Sequence, residues 1–100
     1  MGVQQDDAQA VTWYRKAAEQ GDAAAQFNLG VMYRDGRGAP KDTVSAYMWF
    51  DLSTARGTGP ILKTAATNRD VVAKKMPPAQ LAEAQNRVSE WRTAFETRQK

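Results

Sequence analysis

The chain has no cysteine and no histidine. Without cysteine there is no disulfide framework, no thiolate nucleophile and no cysteine-based zinc site. Without histidine the commonest general base and the commonest metal ligand are both missing. No Ser-x-x-Lys motif stands in for them, so no nucleophile–base pair is visible. Asp22, Asp35, Asp42 and Asp51 are spread along the chain without the Asp-x-Asp spacing of a calcium loop, and read as caps and surface charges. No stretch approaches the ~20 apolar residues of a membrane span, and no apolar signal-peptide segment is visible. β-Branched residues are sparse, which disfavours sheet. These absences predict a soluble, non-enzymatic chain with no cofactor, no metal and no membrane partner, and they leave the compartment open.

What is present is apolar content of 42% over 100 residues, much of it alanine. That is enough for one close-packed helical domain, or for one piece of a modular array. Fourteen basic and eleven acidic residues give a net charge of +3. The basic residues share helix faces with acids and are not interleaved with aromatics, so no nucleic-acid partner is expected. Arg69, Lys74 and Lys75 make a small basic end to a predicted helix, which suits the helix dipole and is a weak phosphate-site candidate.

Sliding the sequence by 36 residues aligns residues 2–21 with 38–57. Gly2 then meets Gly38, Asp6 meets Asp42, Ala10 meets Ala46, Trp13 meets Trp49 and Gly21 meets Gly57, while Tyr14 falls on Phe50. Each unit reads as a pair of helices. Asp6 and Asp42 are predicted N-caps. The first helix runs from about Asp7 to Gln20 and is closed by a left-handed Gly21. Asp22 caps the next, which runs to about Arg34 with Ala25, Leu29, Met32 and Tyr33 apolar. The second pair spans about 43–56 and then Pro60 to Lys75. A last helix, from about Pro78 to Arg98, carries Leu81, Ala84, Val88, Trp91 and Phe95 on one narrow stripe and charge elsewhere. Glycine inside a helix costs about 1 kcal/mol against alanine. Gly30 therefore implies close packing, with Trp13 or Tyr14 expected against its bare backbone.

The run "WYRKAAEQGDAAAQFNLGVMYRDGRG" resembles the Sel-one-like repeat (SLR), a relative of the tetratricopeptide repeat. The resemblance covers residues 2–57 through Ala10, Trp13, Tyr14, Ala17, Ala18, Gly21, Ala25, Leu29, Gly30, Tyr33, Gly36 and Gly38. It weakens afterwards: Ala66 stands where Gly30 would repeat and Arg69 where Tyr33 would. The resemblance implies an all-α solenoid of antiparallel helix-turn-helix repeats, about two units with a C-terminal capping helix. The expected division is 2–36, 37–76 and 77–100. It further implies a scaffold for protein–protein contacts, of the kind found in bacterial and eukaryotic signalling assemblies.

In tetratricopeptide-like solenoids the first helix of each pair lines the concave side. The resemblance therefore puts candidate partner contacts at Gln9, Thr12, Arg15, Lys16 and Glu19. One repeat later these become Ser45, Met48, Asp51, Leu52 and Ala55, expected to lie beneath the last helix. The aromatics Trp13, Tyr14, Trp49, Phe50, Trp91 and Phe95 are read as core, except any that an uncovered first helix pair leaves exposed. The start, "MGVQQD", reads as the end of an earlier repeat, making this the C-terminal part of a longer array. An uncovered first helix pair would then associate with a second copy. The expected partner is a protein or peptide; a β-lactam-binding enzyme and a nucleic-acid binder are the less favoured readings.

Overall fold

A computed structural model of the protein describes residues 6–99. Gly2 and Val3, on which the first match of the register and the reading of "MGVQQD" rest, lie outside those residues. Five helices follow in order: α1 Asp7–Glu19, α2 Ala23–Asp35, α3 Thr43–Arg56, α4 Gly59–Lys74 and α5 Pro78–Arg98. The first three begin as the aspartates dictate. Asp6, Asp22 and Asp42 each accept from the backbone amide three residues on, at 3.0–3.1 Å. Each thereby satisfies one donor that a helix start leaves free. The last two starts have no side-chain cap, and Pro60 and Pro78 in their first turns supply the preset φ instead.

The turn between α1 and α2 closes at Gly21, whose φ of +95° is disfavoured for residues with a side chain. Its repeat partner Gly57 behaves otherwise, with φ −81° and ψ 165°. There glycine answers a need for room: a Cβ would lie 2.8 Å from the Ser53 carbonyl oxygen and 3.0 Å from Ile61. One sequence identity thus serves two physical ends.

Helix α3 is the centre of the molecule and packs on α2, α4 and α5. Val44, Ala46, Tyr47, Trp49, Phe50 and Leu52 are all buried, so a helix apolar nearly all round finds cover on several sides. Gly30 of α2 faces the Phe50 ring, where an added Cβ would sit 2.7 Å from Cδ1. The neighbour of the glycine is therefore Phe50 and not Trp13 or Tyr14. Phe50 is the residue that the register places on Tyr14, so the chemistry was right and the repeat unit wrong. Phe27 completes this contact with its ring centroid 5.7 Å from that of Phe50.

The C-terminal end of α3 ties back to the first turn. Ser53 Oγ donates to the Ala23 carbonyl at 2.8 Å, and Arg56 Nε donates to the Gly21 carbonyl at 2.7 Å. Gln26, fully buried, donates to the Ala18 carbonyl at 3.1 Å. Helix α5 packs on α3 with Ala84, Val88 and Phe95 buried, while Glu83, Asn86, Arg87, Glu90, Arg92 and Glu96 stay in solvent. Its far end reaches α1, where Arg98 donates to the Glu19 carbonyl at 2.8 Å. The radius of gyration is 13.4 Å, that of a closed domain of this length.

Candidate functional site

Gln9, Thr12, Arg15, Lys16 and Glu19 all lie exposed on α1. The Thr12 hydroxyl donates to the Ala8 carbonyl one turn back on the same helix. Glu19 lends its backbone carbonyl to Arg98. Arg15 is occupied inside the chain: its guanidinium donates to the Tyr33 hydroxyl on α2 and lies 5.9 Å from the ring centroid. One repeat on, Asp51 of α3 pairs with Arg69 of α4 at 3.0 Å. The two pairs occupy equivalent positions, Arg15 matching Asp51 and Tyr33 matching Arg69. One straps α1 to α2 and the other α3 to α4. Where tyrosine became arginine, arginine became aspartate, so a donor still meets an acceptor. The sequence carried both exchanges, and only their pairing was missed.

This corrects two expectations. Asp51 does not lie beneath the last helix but faces α4, held by an arginine. Burial alone would lower the pKa of Arg69, but its hydrogen bonds to Asp51 and Asp70 raise it, so the guanidinium stays charged. Arg69 is also unavailable to a basic cluster with Lys74 and Lys75. Of the other aspartates, Asp35 pairs with Arg34 at 2.9 Å and its pKa is lowered by that hydrogen bond. Among the described residues no group of three or more acidic side chains converges on a metal site.

Trp13, in the first helix pair, is the exception among the six aromatics read as core. It is 61% exposed, whereas its repeat partner Trp49 is 5% exposed. Lys16 lies over the Trp13 face, Nζ 5.0 Å from the centroid. Cation and ring together form an exposed patch between Gln9 and Glu19. On α1 Trp13 stands between polar Gln9, Lys16 and Gln20 on one side and half-buried Ala10 and Ala17 on the other, so the helix pattern alone left its burial open.

Elsewhere the aromatics do pack. Trp49 meets Trp91 edge-on, centroids 6.1 Å apart at 75°. Trp91 stacks on Phe95 at 4.9 Å. Arg56 and Arg98 cover Phe95 at 4.6 and 5.6 Å. Where α3 and α5 diverge, Leu52 and Ala55 face Trp91, Arg92, Phe95 and Glu96 across an open cleft of ≈ 630 Å³. A smaller groove of ≈ 260 Å³ lies between α1 and α2, floored by Ala10, Tyr14, Val31 and Met32 and rimmed by Asp7 and Arg37. Leu52 is thus buried near α5 as expected, but Ala55 is exposed at the cleft.

No helix among the described residues is long and apolar enough to cross a membrane. Over 53 residues the chain is 36% identical to the chitin synthase regulator SKT5 of Malassezia restricta, covering 53% of this chain and 4% of that protein. Its fold matches the crystal structure of a protective antigen present in uropathogenic Escherichia coli strains, which displays an SLR fold. There the TM-score is 0.79 and the identity 39%, over 89% of this chain and 18% of the other. The chain therefore spans only a small part of either relative. Repeats of this kind generally act in protein–protein interaction and are generally non-catalytic. The Sel1 repeat matches at residues 1–22 and 23–58, more than half of the length, and this chain, with its succession of paired helices, belongs to the Sel1 repeat family.

Proposed function

We propose that the protein is a non-enzymatic adaptor that holds a protein or peptide partner on the outer face of α1, within a bacterial signalling or host-interaction assembly. The observation that carries this reading is Trp13, a large aromatic left 61% exposed in a chain that packs its other tryptophans. Tryptophan is enriched at the centres of protein interfaces, and truncating such an anchor typically costs about 2 kcal/mol or more of binding. Gln9, Thr12, Lys16 and Glu19 supply the polar surround, with Arg15 held in place beside them by Tyr33. The bacterial setting is supported by the 39% identity to the uropathogenic E. coli antigen.

The test is affinity purification on the immobilised intact chain, followed by the Trp13→Ala and Lys16→Glu double variant. The variant should retain its partner about 30-fold less, the equivalent of that 2 kcal/mol. Its melting temperature should stay near that of the parent, because neither side chain is in the core. Undiminished retention by the variant would refute this placement of the site, and turnover of a small molecule by the purified chain would refute the adaptor role.

A second reading, self-association through the first helix pair, has one observation in its favour. Ala10, Tyr14 and Ala17 are only half-buried, whereas their repeat partners Ala46, Phe50 and Ser53 are fully buried against α2. On this reading sedimentation equilibrium gives a mass that rises with concentration, and Tyr14→Glu returns it to that of a monomer. A constant monomer mass across the range removes the second reading and leaves the first.

A further inference from the structure

The ion pairs among the described residues draw their cations from Arg34, Arg37, Arg69 and Arg87. Arg56, at the end of α3, belongs to none of them, yet its place is fixed. Its Nε donates to the Gly21 carbonyl at 2.7 Å, and its Cζ lies 4.6 Å from the Phe95 ring centroid. Gly21 makes the room, since a Cβ there would lie 2.6 Å from the Arg56 Nη2. A guanidinium carries donors on all three nitrogens, and only Nε is used here. Those on the two terminal nitrogens meet no acceptor among the described residues.

Arg56 stands on the wall of the ≈ 630 Å³ cleft between α3 and α5. Pockets that take small molecules hold about 300–1,000 Å³ and are mostly apolar, with a few placed polar groups. Here Leu52, Trp91 and Phe95 supply the apolar wall, and Trp91 is only half-buried. Trp91 already takes Trp49 edge-on and Phe95 stacked, a row of rings that one more ring can extend. The charged groups lining the cleft are Arg56, Arg92 and Glu96. Arg92 and Glu96 stand one turn apart on α5, the spacing at which opposite charges offset each other on a helix. Arg98 and Glu19, tied at the Glu19 carbonyl, are not among the lining residues and are opposite in sign. What is left is the single positive charge of Arg56 beside an aromatic wall. A ring bearing one negative charge matches both, and an arginine fixed beforehand loses little freedom in binding it.

We propose that the cleft between α3 and α5 binds a small aromatic carboxylate, its ring against Trp91 and its carboxylate on the terminal nitrogens of Arg56. This site is separate from the α1 face on which the adaptor reading rests, so either can fail without the other.

The probe is 2-naphthoate, with the neutral 2-naphthamide as comparator. Each is titrated into the intact, isotope-labelled chain while the three indole N–H signals are followed by NMR. Naphthoate should shift the Trp91 signal and leave Trp13 unmoved. Naphthamide should bind about tenfold more weakly, worth 1.4 kcal/mol. The naphthoate affinity should fall with rising salt. In Arg56→Gln the two compounds should bind alike. Because Arg56 also holds the turn at Gly21, Glu96→Gln supplies a check that leaves that tie intact. It removes the one negative charge from the lining, so naphthoate should bind about threefold more tightly and naphthamide as before. An unmoved Trp91 signal, or equal binding of acid and amide by the parent chain, overturns the proposal. So does a preference for the acid that survives Arg56→Gln, or weaker binding of naphthoate by Glu96→Gln. A peptide ending in a free aromatic residue that shifts Trp91 where naphthoate does not would make the occupant a chain end, and the small ligand would be wrong.

Discussion

Phe50→Ala should remove about 3–5 kcal/mol of stability, the range measured when large buried aromatics are truncated. Phe50 is fully buried, and its ring fills the space left by the missing side chain of Gly30. Against a total stability of about 5–15 kcal/mol, that loss brings the domain close to unfolding. The explanation is checked from the other side of the contact. Gly30→Ala places a Cβ 2.7 Å from a ring that has no free direction to move, being held by Phe27 on α2. Overpacking costs about 1–3 kcal/mol. The gain in helix propensity returns about 1 kcal/mol, so the net loss is up to about 2 kcal/mol. In a Phe50→Leu background the ring is gone, and Gly30→Ala should become neutral or mildly stabilising. Urea denaturation of the four proteins measures the coupling. Equal effects of Gly30→Ala in both backgrounds would mean that the ring is not why the glycine is there.

Gly38→Ala is the second large effect, at about 3 kcal/mol or more. The loop after α2 crosses the first turn of α1 so closely that a Cβ on Gly38 would lie 2.2 Å from the Asp7 carbonyl oxygen. Backbone on both sides of that collision cannot swing away as a side chain would. The loop must lift, and Arg37, which pairs with Asp7 at 3.3 Å, must lift with it. The φ of +74° adds about 1–2 kcal/mol for any residue with a side chain. Gly36→Ala separates the two causes. Its φ is similar at +70°, but its Cβ would meet only Lys41 at 3.3 Å. It should cost about 1–2 kcal/mol, the conformational part alone. With roughly 4–8 °C of melting temperature per kcal/mol in a domain of this size, the two variants should melt at clearly different temperatures. Similar melting points would show that the loop yields freely and that α1 is not pinned by it.

Most of the fold was legible because local rules and the repeat agreed. Three aspartates at helix starts, prolines where no cap existed and a narrow apolar stripe on α5 each determine a boundary or a face without reference to distant residues. The strap between α1 and α2 and its counterpart between α3 and α4 were legible in principle. Arg15 to Asp51 and Tyr33 to Arg69 are both visible when the sequence is slid on itself, yet neither exchange means anything until the four residues are known to meet. The choice of partner for Gly30 was not legible. Tyr14 and Phe50 are equivalent in the register, and only the packing order of the helices decides which ring reaches the bare backbone.

The amino-acid sequence by itself determined five helices and the aspartate caps of the first three, because hydrogen-bond capping and helix periodicity act over a few residues. Tertiary structure alone decided which of two equivalent tryptophans is core and which is surface. Trp13 and Trp49 hold equivalent positions in the 36-residue register, and burial depends on what lies across the helix face. For Trp49 that is α5, which swings over α3 and reaches as far as Glu19. Trp13 carries Lys16 over its ring and is 61% exposed, and so this indole becomes the residue on which the function is proposed to turn.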